Sequence, residues 1–284
     1  MKYIDLHTHS TYSDGTFSPK ELVLYAKSKG ISAIALTDHD TIEGIAEAKQ
    51  AGVEHGVEVV SGVEISTSYP SGDFKGNEFH ILGLFISENE EVKAVFDKLK
   101  TYRKNRNIEL IKNLNAENIN ISMQDVEKLS STGNITKAHF SKALIEKGYA
   151  KSFEEAFEKF FRGDKKTNVP KQTLNPKEAI EVIHKAGGIS ILAHPFRYKL
   201  KKENLIILIK ELKKHSLDGI EAIYSTHKYE EEIFLKELAK ELNLKISGGS
   251  DFHGHTKPNI ELGIGYGELK IPLEILAGLK LSSP

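Results

Sequence analysis

The chain lacks cysteine and tryptophan and has only four arginines among its 284 residues. Without cysteine, disulfides and thiolate-bound metal sites are excluded. No segment approaches the roughly 18 consecutive apolar residues that would span a bilayer, and the N-terminus shows no apolar signal segment. The formal net charge of -1 gives no overall attraction to nucleic acid or membrane. We therefore expect a cytoplasmic protein with no membrane contact and no obligate protein partner.

Short β-branched runs alternate with amphipathic helical patterns along most of the chain. Seven runs predict strands, at residues 3–6, 31–36, 57–65, 79–85, 188–193, 219–223 and 244–247. Helices are predicted between them, at 19–29, 43–55, 203–214 and 229–242. This alternation favours an α/β fold, a parallel barrel of strands surrounded by helices.

The alternation stops between residues 101 and 170, where consecutive helices are predicted at 102–118, 122–130, 137–147 and 152–161. This segment carries 13 basic and 9 acidic residues, a net charge of +4 in a chain whose total is -1. We interpret it as a helical insertion over the active-site face. Residues 1–100 and 171–284 would then form the metal-binding barrel.

Histidines and carboxylates recur where the predicted strands end, which is the functional face of such a barrel. The candidate metal ligands are His7, His9, Asp14, His39, Glu64, His80, His194, Asp251 and His253. One His-x-His pair is a common coincidence, but six of the seven predicted strands supply such a side chain. Imidazole and carboxylate ligands without sulfur suit Mn²⁺, Fe²⁺ or Zn²⁺. Glu221 and His227 near the sixth strand rank lower, and we expect Asp5, Asp38 and Asp40 to orient ligating imidazoles.

Five motifs carry a resemblance to a known family. They are His7-Thr8-His9-Ser10 with Ser13-Asp14-Gly15, Thr37-Asp38-His39, Gly62-Val63-Glu64, His194-Pro195, and Ser250-Asp251-Phe252-His253. In this order they resemble the PHP (polymerase and histidinol phosphatase) superfamily. The resemblance implies a distorted seven-stranded (β/α)7 barrel with a trinuclear metal site. It also implies that His7, His9, Glu64 and Asp251 hold one ion, that Asp14, His39 and His253 hold a second, and that Glu64 bridges to a third held by His80 and His194.

Residues 136–149 of the insertion resemble a segment of one branch, the 3′,5′-nucleoside bisphosphate phosphatases and the related 5′-to-3′ exoribonuclease. That branch usually has Arg-Pro-His where this chain has Lys137-Ala138-His139. The implied function is a metal-dependent phosphoesterase with two or three divalent ions. It would hydrolyse a phosphate monoester of a nucleotide, and short RNA from the 5′ end, by a metal-bridging hydroxide.

The few arginines narrow the search for phosphate-binding residues, because arginine is the better bidentate clamp. Arg197, three residues after His194, is the first substrate-binding candidate. Arg103 and Arg106 share one face of a predicted helix and are candidates for a second phosphate.

Three further residues complete the predicted site. Lys137 is a candidate substrate contact, and His227 is a candidate to flank a base. His139 is the candidate catalytic residue, either contacting phosphate or protonating the leaving oxygen.

Three alternative functions stay open at this point. A histidinol-phosphate phosphatase would perform the same chemistry on a different alcohol, although the helical insertion weighs against it. A metal-binding accessory protein without turnover is a second, against which the complete ligand set argues. A metal-dependent amidohydrolase is the third, since related barrels use His-x-His sites.

Overall fold

Seven strands form one sheet, in the order β1 to β7, in the computed structural model, which describes residues 2–280. The strands are β1 (Tyr3–Thr8), β2 (Ile31–Leu36), β3 (Glu58–Ser68), β4 (Glu78–Leu84), β5 (Ile189–Leu192), β6 (Gly219–Tyr224) and β7 (Lys245–Gly249). The helices are α1 (Pro19–Ser28), α2 (Ile45–His55), α3 (Glu90–Ala116), α4 (Met123–Glu127), α5 (Lys137–Glu146), α6 (Phe153–Ala156), α7 (Pro176–Lys185), α8 (Lys202–Lys214), α9 (Tyr229–Glu241) and α10 (Leu273–Lys280). A π-helical turn at Phe157–Phe161 follows α6, and 3₁₀ turns occur at Pro195–Tyr198 and Gly254–Thr256. The predicted seven-stranded barrel surrounded by helices is confirmed.

The two edges of the sheet meet where β1 lies beside the segment after β7. The backbone N–H of Asp251 donates to the carbonyl of His7 at 2.9 Å, and that of His9 donates to Phe252 at 2.9 Å. This approach requires a glycine at position 249, because a Cβ there would collide with the Cβ of His7. The barrel is therefore nearly closed, and the first and last strands meet beside the histidines.

The expectation that all strands run parallel is wrong for β4, which is antiparallel to both β3 and β5. The remaining neighbouring pairs are parallel. Residues 69–77 join β3 to β4 without a helix, and so short a link forms a hairpin rather than the crossover that parallel strands need. The reversal places His80, near the start of β4, opposite Ser66, near the end of β3.

The helices lie outside the barrel because each has one apolar face. In α8, Leu205, Leu208, Ile209 and Leu212 recur at helical spacing and are all buried. They join an outer hydrophobic cluster with side chains of the strands. No helix in residues 2–280 is long and apolar enough to cross a membrane.

Helix α10 fills the end of the barrel interior, a role that the sequence patterns did not predict. Its Leu276 and Leu279 are buried with Ile4 and Leu6 of β1. The interior is therefore a packed core rather than a channel.

Helix α3 connects the barrel to the helices that follow it. Over its 27 residues, Val92 and Phe96 pack in the outer barrel cluster, whereas Leu110 and Leu114 pack in a separate cluster with residues of α4 to α6. The division predicted between residues 100 and 101 falls inside this continuous helix.

Candidate metal centre

The nine predicted ligands lie together at one end of the barrel. Three groups have ligand atoms within 4.8 Å of one another: His7, His9, Glu64 and Asp251; His9, Asp14, His39 and His253; and His39, Glu64 and His80. His194 belongs to none of these groups, but its Nε2 lies 2.9 Å from Oε1 of Glu64. The three groups share ligands: His9, His39 and Glu64 each belong to two of them.

Glu64 lies at the middle of the centre and is almost completely buried. Its Oε2 lies 3.3 Å from His7 Nε2, 3.3 Å from His9 Nε2 and 3.1 Å from His39 Nδ1. Its Oε1 lies 2.7 Å from His80 Nδ1 and 2.9 Å from His194 Nε2. The antiparallel direction of β4 explains why His80 reaches this carboxylate: its position near the start of a strand places it at the same end of the barrel.

Buried polar atoms without partners indicate what the centre can hold. Among the described residues, these atoms include His7 Nε2, His9 Nε2, Asp14 Oδ1, His39 Nδ1 and Glu64 Oε2. Such atoms are normally paired in folded proteins, because an unpaired one loses its hydration without compensation. Imidazole nitrogens and carboxylate oxygens that converge without sulfur fit divalent Mn, Fe or Zn.

Burial and neighbouring charges separate the pKa values of the imidazoles. Burial lowers the pKa of His39 and of His194 to about 3. At His9 and His80 burial acts in the same direction, but the surrounding carboxylates outweigh it and raise each pKa to about 9. A divalent ion must displace such protons, so metal affinity should rise with pH.

Glu221, ranked below the ligands on sequence grounds, contacts two of them from β6. Its Oε1 lies 2.9 Å from Nδ1 of His7, and its Oε2 accepts the backbone N–H of His194 at 2.7 Å. Because Glu221 engages Nδ1 of His7, Nε2 is the ring nitrogen that faces the centre. The sixth strand therefore contributes an orienting residue.

Asp5, Asp38 and Asp40 do not contact imidazoles directly, contrary to the expectation that they orient them. In the described part of the chain, none of them is hydrogen-bonded to an imidazole. Asp38 accepts hydrogen bonds from two serines of the loop after β1, and Asp5 accepts from Ser250 in the loop after β7. Asp40 accepts the backbone N–H of Ser66 and pairs with cations. These carboxylates fix the loops that carry the ligands.

Three residues of these loops have left-handed backbone conformations that are unusual outside glycine. The φ angles are 53° at Asp40, 30° at His194 and 60° at Asp251. Each such conformation costs on the order of 1–3 kcal/mol and persists only where the surroundings enforce it. The strain lies at or beside the predicted ligands.

Asp251 is held by three donors on the side away from the histidines. Its Oδ2 accepts hydrogen bonds from Tyr224 Oη and Lys257 Nζ, each at 2.7 Å, and from Arg197 Nη1 at 3.3 Å. The Arg197 side chain is 46% exposed beside the centre. Sequence analysis missed Tyr224, at the end of β6, and Lys257, because nothing in the sequence marks that their side chains turn toward Asp251.

The two predicted arginines of α3 have different surroundings, although both are buried. Arg103 Nη2 donates to the carbonyl of His39 at 3.0 Å and to Asp40 at 2.9 Å. Arg106 donates only to Asn107, and within the described residues it makes no ion pair. Arg103 thus joins α3 to the rim of the barrel, whereas Arg106 is a buried cation without a carboxylate.

The first turn of α5 carries two more predicted residues. Lys137 Nζ donates to Asn168, and burial, followed by the charge of Arg106, lowers the pKa of Lys137 to about 8. His139 Nδ1 accepts the backbone N–H of Thr136 at 3.1 Å, and burial lowers the pKa of its ring. Because Nδ1 accepts a backbone N–H, the ring is a neutral imidazole with its proton on Nε2.

His227 lies outside the three ligand groups. Its Nδ1 donates to the carbonyl of Ala222 at 3.0 Å, and its ring centroid lies 5.2 Å from that of Tyr224. It lines a separate cleft of about 460 Å³ with Tyr229 and Tyr266.

Comparison with known proteins identifies the family. Residues 5–239 match the PHP domain, and the chain belongs to the PHP-domain family. It is 38% identical over 253 residues to a 5′-3′ exoribonuclease of Haemophilus influenzae, covering 89% of this chain and 90% of that one. It is 29% identical over 265 residues to a 3′,5′-nucleoside bisphosphate phosphatase of Chromobacterium violaceum, covering 93% and 91%. A solved structure from Bifidobacterium adolescentis matches with a TM-score of 0.85 and 27% identity, covering 99% and 96%. The predicted family, branch and enzyme class, a hydrolase of phosphoric esters, are confirmed.

Proposed function

We propose that this chain is a metal-dependent phosphoesterase that removes a phosphate from a nucleoside 3′,5′-bisphosphate and cleaves short RNA from its 5′ end. The observation that carries the proposal is that two incompletely paired sets of side chains lie next to each other. One is the cluster of unpartnered imidazole and carboxylate atoms on the barrel. The other is a group of buried and half-buried cations beside it, on the helices of residues 101–170 and the segment that follows. A phosphate ester bound to metal ions completes both.

The barrel residues would hold two or three divalent ions, with Glu64 shared between them. Bound ions of this kind polarise a phosphate and activate a water molecule for attack on phosphorus. Glu221 keeps His7 aimed at the centre, and Arg197, whose side chain is partly exposed, would bind a phosphate oxygen. The Asp251 carboxylate is oriented by its three donors, so that Oδ1 faces the histidines.

A second anionic group of the substrate would bind at the cation cluster. Its members are Arg103, Arg106, Lys137 and Lys171. Asp40 pairs with two of them, Arg103 and Lys171, each at 2.9 Å. Arg106 and Lys137 make no ion pair within residues 2–280, and burying like charges together is unfavourable without an anion. This imbalance supports a substrate with two phosphates, or an RNA with a phosphate at its 5′ end.

The hydrogen bond accepted by His139 Nδ1 supports one of the two roles predicted for this residue. With Nε2–H as its only proton, it can donate a hydrogen bond to a phosphate or sugar oxygen. A neutral imidazole is a poor general acid, because its N–H has a very high pKa. We therefore assign His139 a contact with substrate rather than protonation of the leaving oxygen.

We further propose that residues 101–170 form an insertion that covers the active-site face. Arg103 bonds to the loop after β2, and Thr132 donates to the carbonyl of Thr11 in the loop after β1 at 2.9 Å. The names of the relatives support nucleotides or RNA as substrates, which agrees with the expected cytoplasmic location.

The direct test is phosphate release from adenosine 3′,5′-bisphosphate by the purified protein with Mn²⁺. Release should cease with a chelator and return when Mn²⁺ is restored. Histidinol phosphate, tested in parallel, should be a much poorer substrate. Faster hydrolysis of histidinol phosphate, or phosphate release that survives complete chelation, would overturn the proposal.

A further inference from the structure

A small cleft opens directly beside the metal centre, between the barrel and the helices of residues 101–170. It has a volume of about 190 Å³ and is lined by Asp14 and His139 together with Thr16, Leu129 and Phe153. Pockets for drug-sized ligands run to about 300–1,000 Å³, so this cleft suits one planar ring system. Because Asp14 is a member of a ligand group, anything in the cleft lies next to the centre.

Phe153 is the feature of this cleft that packing does not explain. It is half-buried at the start of α6, yet it belongs to none of the four hydrophobic clusters of the described residues. Its ring also makes no contact with another aromatic ring in residues 2–280. Phe157 and Phe161, on the following turn, pack against each other with centroids 5.8 Å apart. Phe153 therefore presents an unpartnered ring to the cleft.

Three polar side chains around the cleft also lack a partner among the described residues. The hydroxyls of Thr11 and Ser131 and the ammonium of Lys142 line it, and none has a side-chain hydrogen bond or ion pair in the described part of the chain. His139, with its proton on Nε2, lies on the same wall. A flat apolar face next to free donors and acceptors is the combination that binds a nucleobase through stacking and edge contacts.

We infer that this cleft binds the base of the nucleotide, stacked on Phe153, while the phosphate lies at the metal centre. The inference rests on the proposed function and specifies its substrate contact. Aromatic stacking accepts any base, because every base has a flat π face. The cleft would therefore select for a nucleotide over a plain sugar phosphate without strong preference for one base.

The absence of tryptophan allows a direct measurement. In a Phe153→Trp variant, the single indole should be quenched saturably by adenosine 5′-monophosphate in the Mn²⁺-loaded enzyme. Ribose 5-phosphate, which lacks the base, should leave the emission unchanged. The matched control is Phe157→Trp, one turn further on, at a position 41% exposed and not part of the cleft lining. Its emission should not respond to either ligand.

A second variant tests the same contact without a reporter. Phe153→Leu keeps an apolar side chain and should raise KM for adenosine 3′,5′-bisphosphate about tenfold. Loss of the stacking between a base and an aromatic ring weakens binding by about tenfold or more. Its kcat and its inhibition by ribose 5-phosphate should stay unchanged.

The outcomes separate this inference from the proposed function. If phosphate release is normal but Phe153→Trp shows no saturable quenching and Phe153→Leu keeps its KM, the base lies elsewhere and the inference is overturned. If the indole is quenched by the nucleotide and no phosphate is released, the base site stands and the proposed activity fails.

Discussion

The barrel rim and the helices that face it supply opposite chemistry to the same centre. The rim leaves imidazole and carboxylate atoms, such as Glu64 Oε2, buried without partners. On the facing helices, Arg106 and Lys137 are cations without an ion pair among the described residues. The first set needs cations and the second needs an anion. Metal ions and a phosphorylated substrate would satisfy both at once, so the two regions should respond differently to mutation.

The two regions also differ in how they are fixed. The rim is bound into the sheet by backbone hydrogen bonds, such as that from Asp251 to His7. The facing helices have their own hydrophobic cluster and reach the rim through side chains, chiefly Arg103. Metal binding should therefore depend on the barrel, and substrate selection on the facing helices.

The largest effect is expected from Glu64→Gln. Loss of the charge that lies within 3.3 Å of several imidazoles should weaken metal binding. Phosphate release at fixed Mn²⁺ should fall by more than about 100-fold, since even partners of metal ligands are worth about 10–100-fold. The control is Glu43→Gln, an exposed carboxylate paired with Lys100, which should have little effect. Normal activity of Glu64→Gln would show that the Glu64 carboxylate is not needed to bind the metal ions.

An intermediate effect is expected from Arg106→Met, which should change KM rather than metal content. A charge-assisted hydrogen bond is worth about 1.5–3 kcal/mol, so KM for adenosine 3′,5′-bisphosphate should rise roughly 10- to 100-fold. The control is Arg162→Met, an exposed arginine paired with Glu158. Loss of bound Mn²⁺ with an unchanged KM would contradict the division of roles between the two regions.

The smallest effect is expected from a histidine of the barrel that is remote from the ligand groups. His184 pairs with Asp218 at 2.7 Å, and this hydrogen bond raises the pKa of His184 above its usual 6.5. Its contribution to stability is full below pH 6.5 and declines as the pH rises through the folded-state pKa. In thermal melts, His184→Asn should lower the free energy of unfolding by only about 0.5–1 kcal/mol at pH 6, because the pair is partly exposed. The loss should be smaller at pH 8.5, because the imidazole is then largely uncharged. Phosphate release should not change. A difference that grows with pH would contradict the pairing.

The sequence was sufficient to select nine candidate ligands that lie together in the structure, because most of them follow a β-branched run whose end marks one rim of a barrel. His80 is the informative exception. His80 lies near the start of β4, so in a parallel strand it would be at the opposite end of the barrel from the other ligands. It lies at the rim because β4 runs antiparallel to β3. The short link at residues 69–77 carried that information, since parallel strands need a longer crossover.

Other contacts could not be predicted, because they depend on side-chain direction after folding. Lys257 reaches Asp251 from six residues away, through a 3₁₀ turn that no periodicity marks. Arg103 and Arg106 lie on the same helix and are equally buried, yet of the two only Arg103 forms an ion pair with a carboxylate. Such differences are decided by tertiary neighbours rather than by spacing along the chain.

Binding of Mn²⁺ to the purified chain tests the central claim most directly. Equilibrium dialysis of the metal-free protein followed by metal analysis should find at least two ions per folded chain, the result expected if the proposed centre holds two or three ions. Fewer than one ion per chain, in protein that circular dichroism shows to be folded, would contradict the account.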